Sequence, residues 1–277
     1  MPPPWAKPAW AEQFDAGALA PAPSFPLVTP ITREWAWGDA TGAGVKVAVI
    51  DSGIDASHPA VGSVAGAVAL EYDEENDDVR ATEGPHDDLF GHGTACAGII
   101  RRAAPEADIY SIRVLGENLA GKGVVFARGL RWAMDNGIQV ANLSLSTSKR
   151  DFFDMFHELA DEAYFQNMML VSAINNIKMP SYPSQYSSVF SVAAHQGDDP
   201  FGFDYNPSPP VEFGAPGINI KVPWADGTDT LTTGNSFAAP HMAGLITRIL
   251  SKHPGLTPFQ MKTILAATAN NAPGAAA

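Results

Sequence analysis

One cysteine, Cys96, stands in the whole 277-residue chain. No intramolecular disulfide is possible, and a chain this long needs none, since it buries roughly 75% of its unfolded surface on folding. That usage suits a reducing compartment. Basic residues are few, 17 Lys and Arg against 30 Asp and Glu, a net charge of −13. Such a balance excludes the basic patches that nucleic-acid binding requires. No apolar run approaches the ~18 residues of a transmembrane helix. The opening Met-Pro-Pro-Pro-Trp-Ala-Lys-Pro lacks the basic-then-apolar order of a secretory signal. A cytoplasmic protein is therefore expected, with no membrane or nucleic-acid partner. Hydrophobic residues make up 45%, the share of an ordinary globular protein.

Residues 1–40 read as a Pro-rich N-terminal arm, with eight prolines in the first 30 positions. From position 45 the pattern changes. Runs of consecutive apolar and β-branched residues at 45–50, 108–114, 138–143 and 168–172 predict strands covered on both faces. Helical stretches at 92–102, 124–136 and 152–166 alternate with them. Strand–helix alternation defines an α/β domain with a mostly parallel sheet. Residues 195–217, rich in Gly, Pro and Asp, predict loop. Helices follow at 236–252 and 258–267, the second with Thr257 as N-cap and Pro258 at the first helical position. The tail at 269–277 is expected to fray.

Three short motifs carry chemistry. In Val-Ala-Val-Ile-Asp51-Ser-Gly a carboxylate ends an apolar strand, where parallel sheets gather ligands. In Gly91-His92-Gly93-Thr94 an imidazole opens a helix of small residues. In Gly234-Asn235-Ser236-Phe-Ala-Ala-Pro240 a hydroxyl stands at a helix start that the proline pins nearby. Unpaired N–H groups there are suited to an oxyanion. Each residue alone has an ordinary structural reading: a turn cap, a core histidine, a second capping serine. Asp, His and Ser in this chain order are the order of the subtilisin triad.

Together the motifs resemble the subtilisin-like serine proteases of peptidase family S8. The intervening segments do too: Tyr110-Ser-Ile-Arg-Val-Leu-Gly, Ile138-Gln-Val-Ala-Asn-Leu-Ser-Leu and Tyr182-Pro-Ser-Gln-Tyr-Ser-Ser-Val. The resemblance covers about residues 40–268, and the peptidase domain is set at 41–268. It implies a three-layer fold with the sheet between helices. It implies a serine endopeptidase in which His92 activates Ser236 and Asp51 orients His92. The family's oxyanion asparagine falls on Asn175, with Asn176 as the alternative. Substrate is expected to add as a strand between Leu143, Ser144, Leu145 and Ser146 on one side and Ala120, Gly121, Lys122 and Gly123 on the other. Ile174 lies where most members carry glycine beside the primary specificity pocket, and Asn235 replaces a commoner threonine.

No cofactor is expected to be required. The family's calcium loop in the helix carrying His92 has no counterpart in this spacing. The acidic run at 71–78 and His86-Asp87-Asp88 offer oxygen donors for calcium, an ordinary solvated loop being the alternative, so no metal ligand is assigned. Cys96 falls one helical turn after His92, as a small buried side chain. The arm is too short for a folding prodomain, and self-inhibition by it is a further expectation. Two other readings remain open: precursor processing or acyl transfer by the same acyl-enzyme, and a non-catalytic peptide-binding module.

Overall fold

The computed structural model describes residues 31–208 and 210–272. Its central strand, β1 (Lys46–Asp51), is buried from Val47 onward. Strand geometry sends alternate side chains to opposite faces, so the unbroken Val-Ala-Val-Ile run fits only a sheet covered on both sides. β1 lies between β4 (Asp108–Arg113) and β5 (Val140–Leu143), parallel to both. Beyond β4 comes β2 (Gly66–Asp73), also parallel. Beyond β5 come β6 (Met169–Ala173), β7 (Phe190–Gln196) and β9 (Phe213–Ile218), each parallel to its neighbour. Antiparallel strands close the two edges: β3 (Asp78–Glu83) on β2 and β8 (Asp204–Tyr205) on β9. The order is β3-β2-β4-β1-β5-β6-β7-β9-β8. A small separate hairpin pairs β10 (Ile220–Pro223) with β11 (Asp229–Thr232).

Helices cover both faces, giving the three-layer α/β fold. α3 (Gly123–Asp135) and α4 (Phe153–Phe165) bury Leu130 and Phe156 in one core with Ala48, Ile50 and Val68 of the sheet. On the other face lie α2 (His92–Ala103) and α5 (Asn235–Lys252). These two approach closely because Gly244 has no side chain: a Cβ there would come within 2.6 Å of Ala103 Cβ. α6 (Pro258–Thr268) starts with the expected cap, Thr257 accepting from Gln260 N–H while the Gln260 side chain returns the bond.

Two regions differ from the sequence expectation. The predicted loop at 195–217 contains β8 and β9. β9 reads Phe-Gly-Ala-Pro-Gly-Ile, too rich in turn residues to look like a strand. Pro216 lies past the end of β8, where β9 has a neighbour on one side only, the setting in which a strand accepts proline. The acidic run at 71–78 is largely exposed to solvent, as its ordinary reading expects, but it is not loop throughout. It spans the end of β2 and the turn to β3. Asp73 pairs with Arg80 at 2.6 Å, Glu71 with Arg113 at 2.8 Å and Glu74 with Lys122 at 3.4 Å.

Residues 1–30 of the expected arm lie outside the described residues, as does 273–277 of the tail. Residues 31–40 carry α1 (Arg33–Ala36), capped by Thr32. Trp35 stacks on His253 at 4.3 Å, and Lys252 Nζ donates to the Glu34 carbonyl.

Candidate active site

The carboxyl ends of neighbouring β1, β5 and β6 form one rim of the sheet. Asp51 is the last residue of β1 and is fully buried. Ser52 N–H donates to its Oδ1 at 2.8 Å. His92, the first residue of α2, places Nδ1 2.9 Å from both Asp51 carboxylate oxygens. Its Nε2 lies 3.0 Å from Ser236 Oγ. The carboxylate can only accept, so Nδ1 carries the proton and Nε2 accepts from the serine hydroxyl. Burial disfavours a charged His92, but the adjacent Asp51 carboxylate outweighs it and holds the imidazole pKa well above 6.5.

This contact requires backbone to touch backbone. A Cβ on Gly93 would fall 1.9 Å from the Gly53 carbonyl oxygen and 3.3 Å from Asp51 Cβ. Gly91 takes φ +107 against the Trp224 indole, where no other residue fits. Asp88 then fastens the helix start. Its Oδ2 accepts from Thr94 N–H and Oγ–H at 2.8 and 2.6 Å, and its Oδ1 from Gly91 N–H at 2.8 Å and Ser52 Oγ–H at 2.7 Å. The carboxylate also complements the positive end of α2. Offered by the sequence as a cation ligand, Asp88 is committed to its own chain.

Ser236 is the second residue of α5. Pro240 is expected in the first turn from its spacing to Ser236; the helix begins at Asn235, so Pro240 is its sixth residue. Proline has no N–H to return to the carbonyl four residues earlier, which is that of Ser236. Ser144 fills the gap, its Oγ donating to the Ser236 carbonyl at 2.7 Å while Asn142 Nδ2 donates to Ser144 Oγ at 2.9 Å. The Cys96 thiol donates to Ser144 Oγ at 3.3 Å and lies 3.9 Å from His92 Nδ1. Burial raises the Cys96 pKa, so the group beneath the imidazole is a neutral thiol.

Beyond β6, Asn175 accepts from Ile177 N–H through Oδ1 at 2.9 Å, which turns its Nδ2 donor the other way. Asn175, Ile174, Ser146 and Ser236 share an open cavity of about 170 Å³. Asn176, the alternative, spends its Oδ1 on Asn235 N–H at 2.9 Å. A second cavity, about 850 Å³, brings Ala120, Gly121, Lys122 and Gly123 opposite Leu145 and Ser146. Leu145 and Ser146 line both cavities, so the two are contiguous along one cleft. The Leu143 side chain lies in the core instead.

Among the described residues, one group of His, Cys, Asp or Glu brings its donor atoms within 4.8 Å of one another: Asp51, His92 and Cys96. The first two are bound to each other and the third is a protonated thiol, a poor set for a metal. Between α2 and β4 lie four residues, of which Glu106 alone is acidic, and Thr41 already donates to it. That donor set does not fit the calcium loop of the family.

A buried carboxylate, an imidazole and a helix-start hydroxyl linked in series define a serine-nucleophile hydrolase. The subtilase family model matches residues 42–277. Subtilisin DY of Bacillus licheniformis is 31% identical over 245 residues, 83% of this chain and 85% of the relative. Subtilisin E of Bacillus subtilis (strain 168) is 32% identical over 83% of this chain, which spans 61% of that relative's length. Among solved structures, a cold adapted subtilisin-like serine proteinase matches with a TM-score of 0.66 and 27% identity, covering 82% of each chain. The chain belongs to the subtilase family, and it is a serine endopeptidase of the subtilisin type.

The sequence did not single out Asp88 or Ser52 as supports of His92. A signal was present in Asp88-Leu-Phe-Gly-His92, an acidic residue just ahead of a helix start.

Proposed function

We propose that the chain hydrolyses peptide bonds through an acyl-enzyme on Ser236, with the oxyanion held by Asn175 Nδ2 and the Ser236 N–H. The observation that carries this reading is the bridge through His92, 2.9 Å from Asp51 and 3.0 Å from Ser236. His92 Nε2 takes the Ser236 proton as Oγ attacks the substrate carbonyl. Asp51 keeps the opposite proton on Nδ1 and stabilises the imidazolium. The imidazolium then protonates the leaving amine, and water, deprotonated by His92 in turn, releases the acyl group. The free Nδ2 of Asn175 and the place of the Ser236 N–H in the first turn of α5 support the oxyanion assignment.

The substrate lies along Leu145 and Ser146 and faces Gly121, with the side chain before the scissile bond in the 170 Å³ cavity beside Ile174. Position in the cleft supports this. Calcium is not assigned a role. A cytoplasmic location is proposed on the lone cysteine, and self-inhibition by the arm on its proline content. Casein hydrolysis by the wild type and by Ser236→Ala tests the main reading. Loss of the nucleophile is expected to lower kcat on the order of 10⁶-fold, the size known for subtilisin itself. Equal rates would reject it. A variant lacking residues 1–30 is expected to hydrolyse short peptides faster than the full chain; an unchanged rate rejects self-inhibition.

A further inference from the structure

Asn235 makes more of the site's connections than its place beside Ser236 requires. Its Nδ2 donates to the Ile174 carbonyl at 3.1 Å and the Asn175 carbonyl at 3.2 Å. Its Oδ1 accepts from Ala194 N–H at 2.8 Å. Its backbone N–H donates to Asn176 Oδ1 at 2.9 Å. The amide cannot be turned over: Ala194 N–H can only donate and the two carbonyls can only accept. One side chain therefore joins three separate parts of the fold, namely the start of α5, the chain leaving β6, and β7.

These connections fall where the sheet stops helping. The last backbone rung holding the chain beyond β6 is Ile174 N–H to the Val192 carbonyl at 3.0 Å. Asn175 N–H then bonds the Ser181 hydroxyl at 3.1 Å, and its side-chain Oδ1 is held by Ile177 N–H at 2.9 Å. Asn235 holds the remaining backbone polar group of that residue, its carbonyl. All backbone freedom of Asn175 is thereby tied, and part of the tie comes from the neighbour of the nucleophile. A hydroxyl has one proton to donate and does not reproduce an amide that donates twice and accepts once here.

We propose that Asn235 is a positioning residue that fixes the oxyanion donor Asn175 relative to Ser236, an inference that rests on the peptidase reading above. The nucleophile and the donor belong to different elements and must keep their separation within about 1 Å to act on one carbonyl. Asn235 touches neither the substrate nor the reacting atoms. It acts by sharing one rigid amide between the two.

The test is a mutant cycle on a short chromogenic peptide with Asn235→Ala, Asn235→Asp, Asn175→Ala and the double variant Asn175→Ala/Asn235→Ala. Asn235→Asp keeps the shape and the acceptor for Ala194 but turns an oxygen toward the Ile174 and Asn175 carbonyls. Both Asn235 variants are expected to lose about tenfold to hundredfold in kcat, with KM within about threefold of wild type. The acid limb of the Asn235→Ala pH–rate profile stays where the wild type has it, because Asp51 and His92 are untouched. In the double variant kcat falls within about threefold of Asn175→Ala alone, since the donor that Asn235 positions is already gone. Near-wild-type kcat in both Asn235 variants overturns the proposal. So do losses that multiply in the double variant, or a shifted acid limb, which would place the effect on His92. A folded wild type that cleaves no peptide overturns the peptidase reading itself, and is told apart because no variant is needed to see it. Should Asn235→Asp fail to fold, Asn235→Ala and the cycle decide alone.

Discussion

Around Asp51 and His92, backbone lies against backbone. Gly93 meets the Gly53 carbonyl, Gly91 meets Trp224, and every oxygen of Asp88 is taken by the chain it fastens. Along the cleft the rule is different. Ile174, Asn175 and Asn176 leave the sheet and become partly exposed, and the 850 Å³ cavity opposite Gly121 and Gly123 stands open to solvent. The centre that moves protons is built from small residues at distances no larger side chain permits. The cleft proposed to receive substrate is lined by side chains free to differ. Of the two departures from commoner family residues, Ile174 falls in the second region and Asn235 ties the chain of that region to α5, while Asp51, His92 and Ser236 are intact.

The sharpest way to break this contrast is Asp51→Asn. The neutral amide removes the charge that holds the His92 pKa up and disturbs its tautomer. A loss of about 10⁴-fold in kcat is expected, as for the corresponding change in other serine proteases. The acid limb of kcat/KM, expected above pH 6.5 in the wild type because His92 is raised, moves toward acid in the variant. An unmoved limb would mean that Asp51 does not set the base. Next in size is Gly93→Ala. Its Cβ cannot occupy the 1.9 Å left by Gly53, so α2 must shift. A displacement near 1 Å costs about 10²-fold in rate. Retention of half the wild-type rate in a folded Gly93→Ala protein would show that the centre is not built this tightly.

In the cleft, Ile174→Gly enlarges the cavity beside Asn175 and leaves the triad alone. The preference for bulky over small residues before the scissile bond is expected to rise about tenfold or more, with little change for the best small substrate. An unchanged preference profile removes Ile174 from the pocket. The smallest effect is on stability. His241, buried on α5, has its pKa pushed down to about 4, by burial first and then by the nearby Arg102 charge. The neutral form favours the fold fully above pH 6.5, and that contribution fades as pH falls toward 4. The loss by pH 4 is about 3 kcal/mol. His92, raised, holds its proton in both folded and unfolded chains well below pH 6.5 and adds slope only near and above that pH, equally in wild type and in His241→Leu. Urea denaturation at pH 7 and pH 4 is expected to show a smaller acid loss for His241→Leu than for wild type. Equal losses would contradict the burial argument.

Much of this fold was legible because a two-sided parallel sheet writes itself as unbroken apolar runs. β1, β4, β5 and β6, with the helices between them, were predicted within two residues. The strands that escaped follow other rules. β9 is spelled Phe-Gly-Ala-Pro-Gly-Ile and is held by burial and by β7, a tertiary fact with no local signature. The β2–β3 hairpin hides behind acidic residues whose charges are met by Arg80, Arg113 and Lys122, two of them distant in sequence. The site divides in the same way. Asp51, His92 and Ser236 stood beside glycines at element ends, where motif and chemistry coincide. Asp88 and Asn235 act through hydrogen bonds to main-chain groups that no spacing reveals, and Ser144, expected at the substrate strand, also supports the Ser236 carbonyl.

Whether Asp51, His92 and Ser236 work as one unit is read out by fluorophosphonate labelling. The adduct is mapped by mass spectrometry in wild type, His92→Ala and Ser236→Ala. Rapid labelling is expected on Ser236 in the wild type, slowing by orders of magnitude in His92→Ala and absent in Ser236→Ala. Labelling at another residue, or a Ser236 that labels equally fast without His92, would contradict it.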